Sequence, residues 1–137
     1  MAKLYFRYGA MNSGKSTGLL QAAYNYEERG HRVLLAKPAV DTKGDREIVS
    51  RLGVTRTVDI VFSPDADVRQ AVSAAGAVDP ESDRLDGMVR PVSCVLVDEA
   101  QFLTPRQVDD LLRIAVLDQV PVITYGIRTD FRTEAFP

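Results

Sequence analysis

One short stretch near the amino terminus limits the folds open to this chain more than any other feature. It runs Gly9-Ala10-Met11-Asn12-Ser13-Gly14-Lys15-Ser16 and fits the G-x-x-x-x-G-K-[ST] pattern of a phosphate-binding loop. Its glycines let backbone N–H groups turn toward phosphate oxygens, its lysine reaches the β- and γ-phosphates, and its hydroxyl binds Mg²⁺. The apolar run Leu4 to Tyr8 and the helical pattern Ser16 to Arg29 predict the strand–loop–helix context that this motif requires.

The rest of the chain alternates apolar runs with helical patterns. Strands are predicted at 4–8, 32–37, 58–62, 92–97 and 120–125, and helices at 16–29, at 66–75 and after Thr104. The first strand is apolar enough for a central place in a sheet. The alternation predicts one α/β domain over residues 1–137, with a parallel sheet, flanking helices and a ligand site at the carboxyl ends of the strands.

Two helix boundaries and two packing faces are specific enough to predict. Gly30 is placed to end the first helix, and Thr104-Pro105-Arg106-Gln107 supplies an N-cap, a proline at the first helical position and a capping-box glutamine. The segments 38–47 and 79–86 are predicted to be polar loops. Helical spacing predicts that the following residues face the sheet: Leu19, Leu20, Ala23 and Tyr26 in the first helix, and Val108, Leu111, Leu112 and Ala115 in the last.

Composition is that of an ordinary globular domain. Of the 137 residues 45% are hydrophobic and 26% are charged, and the net charge of −2 gives no reason to expect binding to nucleic acid or to a membrane. There is no signal-peptide pattern, which favours the cytoplasm. With one cysteine and one histidine we expect neither a disulfide nor a zinc site in this chain. Cys94 is predicted to be buried in the core, and His31 to be a solvated loop residue without a nearby partner.

A second motif follows the strand at 92–97. Asp98 and Glu99 come directly after Val95-Leu96-Val97, as in the acidic strand of phosphate-loop proteins, where a carboxylate holds Mg²⁺ and its neighbour orients the nucleophile. The alternative is that the pair only caps the next turn. The motif leaves open whether that nucleophile is water or a substrate hydroxyl. Phe102 and Phe131 are placed to stack on a flat base at the same edge, unless they are ordinary core residues.

Several ordered segments closely resemble the type II (cellular-type) thymidine kinases in their bacterial form. They are 9–17, 21–30, 37–42, 95–103 and 125–131, and the resemblance extends over nearly the whole chain. It implies a RecA-like α/β core that transfers the γ-phosphate of ATP to the 5′-hydroxyl of thymidine.

The resemblance also implies roles for individual residues. Ser16 and Asp98 serve Mg²⁺, Glu99 is the general base on the 5′-hydroxyl, and Lys43 stands where many relatives carry an arginine, which keeps a point charge but loses a bidentate grip. The phosphate donor is held by Gly9, Ala10, Met11, Asn12, Ser13, Gly14, Lys15, Ser16, Thr17 and Asp98, with Asp41 beside the site. The thymidine pocket is walled by Met11, Phe102 and Phe131.

Family members continue past the position of Pro137 into a zinc ribbon of four cysteines and a lasso that grips the thymine. We therefore interpret the chain as a core without that segment, and expect zinc only in a longer version. The resemblance further suggests a homotetramer and feedback inhibition by thymidine triphosphate. Two other functions stay open: an ATPase of the helicase or RecA type, since Asp98-Glu99-Ala100-Gln101 also resembles a helicase box, and an inactive nucleotide-binding module.

Overall fold

The computed structural model describes residues 2–9, 15–39, 47–49, 55–78 and 91–127. Its strands are β1 (Leu4–Gly9), β2 (Arg32–Pro38), β3 (Glu47–Val49), β4 (Thr55–Thr57), β5 (Ile60–Phe62), β6 (Val92–Val97) and β7 (Val122–Ile127). Its helices are α1 (Lys15–Glu28), α2 (Val68–Gly76) and α3 (Pro105–Leu117), and a single 3-10 turn covers Ala100–Phe102. The predicted parallel α/β fold is confirmed, with most boundaries shifted by one or two residues.

The main sheet has the strand order β1-β7-β6-β2-β5, and every pairing in it is parallel. Strand β7 therefore separates β1, which leads into the phosphate loop, from β6, which leads into the acidic pair. The prediction of a central first strand is wrong: among the described strands β1 lies at the edge and pairs with β7. Its side chains alternate between partly buried and exposed, whereas β2 is buried along almost its whole length.

Two hydrophobic cores lie on opposite faces of the sheet. The α1 face buries Leu19, Leu20 and Ala23 against β2 and β6, as their spacing predicts. The other face packs α2 and α3, and here the predicted stripe is partly wrong: Leu112 is 45% exposed, while Gln107 and Ile114 are buried. Apolar residues occupy two adjacent stripes of α3, and only contact with the sheet selects between them.

The local signals at helix ends are confirmed. The Thr104 hydroxyl accepts the Gln107 N–H while the Gln107 side chain accepts the Thr104 N–H, which completes the capping box. Gly30 has a φ of 81°, and the N–H groups of Gly30 and His31 donate to the carbonyls of Glu27 and Tyr26. That pair of hydrogen bonds is a Schellman motif, which ends α1 and returns the chain toward β2.

A short antiparallel hairpin, β3–β4, was missed by the sequence-based prediction. It pairs Glu47–Val49 with Thr55–Thr57 and buries Ile48 in the α1-side core. Arg56 fastens it to α1 with two hydrogen bonds to Glu27, at 2.5 and 3.1 Å, and its guanidinium lies 5.5 Å from the ring centre of Tyr24. Three-residue strands carry too little periodicity to be recognised. The predicted loop at 79–86 lies outside the described residues.

Candidate active site

The carboxyl ends of β1, β7 and β6 lie side by side at one edge of the sheet. Gly9 is in register with Ile127, and Val97 with Thr124, so the start of the phosphate loop and the acidic pair flank the end of β7. Helix α1 begins at Lys15, so the predicted strand before the phosphate loop and the predicted helix after it are both confirmed. Parallel α/β sheets bind their ligands at this edge.

Asp98 continues β6 by one residue and is nearly buried. Only 4% of the Asp98 surface is exposed, and the Asp98 N–H donates to the Ala36 carbonyl at 2.9 Å. Since Val97 packs in the α2–α3 core, alternation along the strand places Asp98 on the α1 face of the sheet. A carboxylate there suits the oxygen preference of Mg²⁺, which is bound by one or two carboxylates together with phosphate oxygens.

Glu99 occupies the tight corner between β6 and the 3-10 turn. Its backbone is left-handed, with φ 56° and ψ 42°, a conformation that non-glycine residues adopt at a cost. The corner is fixed from both sides, because the Glu99 N–H donates to Asp98 Oδ1 at 2.9 Å and the Phe102 N–H donates to the Glu99 carbonyl at 3.0 Å. Strained backbone of this kind clusters at functional sites.

The structure supports only in part the alternative that the acidic pair merely caps a turn. Asp98 accepts the N–H of its neighbour, which is a local turn contact. Glu99 stands at the N-cap position of the 3-10 turn, but its side chain makes no capping hydrogen bond. Its Oε1 instead accepts a hydrogen bond from Gln101 Nε2 at 2.8 Å. Capping therefore explains a contact of Asp98 and leaves the Glu99 carboxylate unexplained.

Three residues of this edge were missed as site candidates. Gln101 contacts the Glu99 carboxylate, and Gly126 lies directly against Gln101. An isolated glycine inside a strand pattern is a known sign of close approach, and this signal could have identified Gly126. Lys37 follows Ala36, which pairs with Val97, so alternation places it beside Asp98 on the α1 face.

The residues predicted to bind the phosphate donor and the nucleoside lie only partly within the described structure. Phe102 is 51% exposed and lies three residues beyond Glu99, so it is not an ordinary core residue, and its role in stacking stays a prediction. Gly9, Lys15, Ser16 and Thr17 are described as the end of β1 and the start of α1. The other candidates lie outside the described residues: Ala10, Met11, Asn12, Ser13, Gly14, Asp41, Lys43 and Phe131.

Cys94 and His31 belong to the scaffold. Cys94 is fully buried, as predicted, and burial raises the pKa of its thiol to about 11. His31 is exposed, but the expectation that it lacks a nearby partner is wrong: its ring contacts the Tyr26 ring edge-on with centroids 6.1 Å apart. In the described part of the chain, no three metal-ligating side chains converge on a common point. Nor does any described helix have the length and apolarity to cross a membrane.

The sheet order and this edge define an α/β domain of the P-loop type, in which one strand separates the phosphate-loop strand from the acidic strand. The sequence model of thymidine kinases matches residues 2–137. The thymidine kinase of Rhizobium etli is 46% identical over 138 aligned residues, which cover 100% of this chain and 64% of the relative. The thymidine kinase of Novosphingobium aromaticivorans is 48% identical over 99% of this chain and 65% of the relative. The chain belongs to the thymidine kinase family.

The match covers the whole of this chain but less than two thirds of these relatives. This chain spans 64% of the Rhizobium etli protein and 65% of the thymidine kinase of Idiomarina loihiensis, to which it is 47% identical. The shared portion contains the phosphate loop and the acidic pair. What the whole relatives do is therefore a proposal for this chain.

Proposed function

We propose that this protein transfers the γ-phosphate of ATP to the 5′-hydroxyl of thymidine, giving thymidine monophosphate, and that Glu99 is the general base. The observation that carries the proposal is the placement of a partly buried carboxylate in a fixed, left-handed corner beside Asp98. Membership of the thymidine kinase family supplies the substrate class. The exposed ring of Phe102 on the adjoining turn supplies an apolar face for a base.

In this mechanism the O5′–Pγ bond forms as the bond from Pγ to the ADP oxygen breaks, and the hydroxyl proton passes to Glu99. Proton transfer is late in a loose phosphoryl-transfer transition state, so the carboxylate acts mainly by orienting the hydroxyl. Lys15 and the amides of residues 9–17 hold the phosphates. Ser16 and Asp98 are the residues that would hold Mg²⁺, which neutralises charge on the phosphates when bound.

The remaining parts of the proposal follow the family resemblance. Met11, Phe102 and Phe131 form the walls of the thymidine pocket, and Asp41 lies beside the site that holds the phosphate donor. A homotetramer in the cytoplasm, feedback inhibition by thymidine triphosphate and zinc in a longer version belong to the same proposal. Of these residues, Phe102 belongs to the described part of the chain, whereas Met11, Asp41 and Phe131 lie outside it.

The test is the Glu99→Gln variant, made in a version extended to the length of the relatives. Glutamine keeps the shape and a hydrogen-bond acceptor but removes the charge. We expect thymidine-dependent ADP formation to fall roughly 10²–10⁴-fold, the usual range for a general base, with ATP and thymidine binding nearly unchanged. The matched control is Glu28→Gln, at the exposed far end of α1, roughly 20 Å from Lys15 along the helix, which should keep full turnover.

Three outcomes contradict the proposal in different ways. Full turnover in Glu99→Gln would exclude Glu99 as the base. ATP hydrolysis that needs no thymidine in the unaltered protein, and that is lost in Glu99→Gln, would favour the ATPase alternative. Nucleotide binding without turnover in the unaltered protein would favour the inactive module.

A further inference from the structure

The Glu99 carboxylate is held by an amide whose orientation the chemistry fixes. Gln101 Nε2 lies 2.8 Å from Glu99 Oε1. An ionised carboxylate can only accept hydrogen bonds, so the amide nitrogen of Gln101 must face it and the amide oxygen must point elsewhere. Hydrogen bonds to charged groups are about twice as strong as neutral ones. The side chain of Gln101 is therefore directed by this contact.

The amide oxygen of Gln101 lies so close to Gly126 that a side chain at position 126 would press against it. A Cβ built on Gly126 would lie 2.9 Å from Gln101 Oε1, 3.2 Å from the Gln101 backbone nitrogen and 3.3 Å from Ala100 Cβ. The φ of Gly126 is not in the left-handed region, whereas that of Gly30 is. Space, rather than backbone freedom, is what glycine provides at this position.

The backbone contacts of Glu99 do not by themselves fix the direction in which its carboxylate points. The corner holds the backbone of Glu99 through the Asp98 carboxylate and the Phe102 N–H. Between that backbone and the carboxylate lie three rotatable side-chain bonds, which the backbone contacts do not fix. A general base must be held close to one geometry, since a displacement of about 1 Å can cost roughly 10²-fold in rate.

We propose that Gln101 is a positioning residue for the Glu99 carboxylate, and that the absence of a side chain at Gly126 gives Gln101 the space to hold it. The inference rests on the proposed function, in which Glu99 receives the hydroxyl proton. Gln101 acts through Glu99 and does not bind the acceptor. Gly126, the last residue but one of β7, is in register with Tyr8 of β1 and lies against the turn that carries Glu99.

The first test needs no catalysis and uses this chain. Exchange of the side-chain amide protons of Gln101, followed by ¹⁵N NMR, should be roughly tenfold slower than that of the exposed Gln70, given the strength of a hydrogen bond to a charged group. Glu99→Ala and Gly126→Ala should each raise the Gln101 rate to that of Gln70. An unchanged Gln101 rate in both variants overturns the proposal whether or not the protein is a kinase.

The second test separates positioning from binding, in the version extended to the length of the relatives. Gln101→Met keeps the length of the side chain and removes the donor. It should lower kcat roughly 10–100-fold and leave KM for ATP and thymidine within about twofold. Gly126→Ala should lower kcat in the same way, and the matched control Gln70→Met should leave it unchanged. A raised KM for thymidine at unchanged kcat would overturn the proposal, because Gln101 would then bind the acceptor.

A double-mutant cycle decides whether Gln101 acts through Glu99. In the Glu99→Gln background, Gln101→Met should cause little further loss, because there is no charged base left to position. Full additivity would show a general structural effect and overturn the proposal. If the wild type turns over thymidine and Gln101→Met does so equally fast, the positioning role of Gln101 is overturned and the proposed function stands. If the wild type shows no turnover with thymidine, both the proposed function and the positioning role are overturned.

Discussion

Gln107 offers the most direct check on how the turn beside the site is anchored. It is a polar residue only 1% exposed, at the start of α3. Its Oε1 accepts the Thr104 N–H at 3.1 Å, and its Nε2 donates to the Ser63 carbonyl at 2.9 Å, in the loop between β5 and α2. Thr104 follows the 3-10 turn by two residues, so this side chain ties the end of the site segment to a distant loop.

The Gln107→Ala variant should destabilise the fold by roughly 2–3 kcal/mol. Two hydrogen bonds are lost, at about 1 kcal/mol each, and the vacated space in the core adds a further cost. The penalty stays below that of a fully buried polar group because Ser63 is exposed and its carbonyl can turn to water. Thr104→Ala removes a single capping bond and should cost about 1 kcal/mol.

The measurement is urea unfolding followed by circular dichroism, with Gln70→Ala as the matched control on an exposed helical position, expected within ~0.5 kcal/mol of wild type. Gln107→Glu adds a sharper comparison, because glutamate can complete the capping box but cannot donate to Ser63 and carries a charge into the core. It should be less stable than wild type at pH 7. A loss of stability smaller than ~0.5 kcal/mol in Gln107→Ala, or a Gln107→Glu variant as stable as wild type, would show that the Gln107 side chain does not anchor this turn.

Two further predictions test the corner and the core. In urea unfolding, Glu99→Gly should be more stable than Glu99→Ala by about 1 kcal/mol, the reverse of the usual order. Both variants lack the carboxylate, and only glycine adopts the left-handed backbone of this position freely. Equal stability of the two variants would contradict that backbone conformation. Burial raises the pKa of the Cys94 thiol from 9.0 to about 11, so above pH 9 the unfolded chain loses a proton that the folded chain keeps. The contribution of Cys94 to the free energy of unfolding should therefore be fully present below pH 9 and should fall by up to about 1.4 kcal/mol per pH unit as the pH rises toward 11. Cys94→Ala should lack this pH dependence, and parallel pH profiles for the two proteins would contradict the prediction.

Much of the site could be predicted because its signals are local. The phosphate-loop pattern, the acidic pair after an apolar strand and the capping residues of α3 each depend on a few consecutive residues. The structure confirms the strand before the phosphate loop and the helix after it, the capping box, and the end of α1 at Gly30. It also brings Asp98 and Glu99 to the predicted edge, while their chemical roles stay predictions.

The failures arose where the choice depends on a neighbour distant in the sequence. The apolar residues of α3 fit two adjacent stripes, and contact with the sheet decided that Leu112 faces outward and Gln107 inward. The strand β1 is apolar, yet its place at the edge depends on which strands pair with β7. The hairpin β3–β4 is held by burial of Ile48 and by Arg56 on α1, neither of which leaves a periodic pattern.

Local motifs and caps were enough to predict the class of fold, the edge of the sheet that carries the site and the residue types placed there, because they act through bonds to near neighbours in the chain. The strand order, the buried face of α3 and the contact that joins Gly126 to Gln101 and Glu99 depend instead on how the elements pack together. Packing selects among locally equivalent arrangements by the surface that each one buries. The space above a glycine 25 residues beyond Gln101 exists only once β7 lies beside the turn.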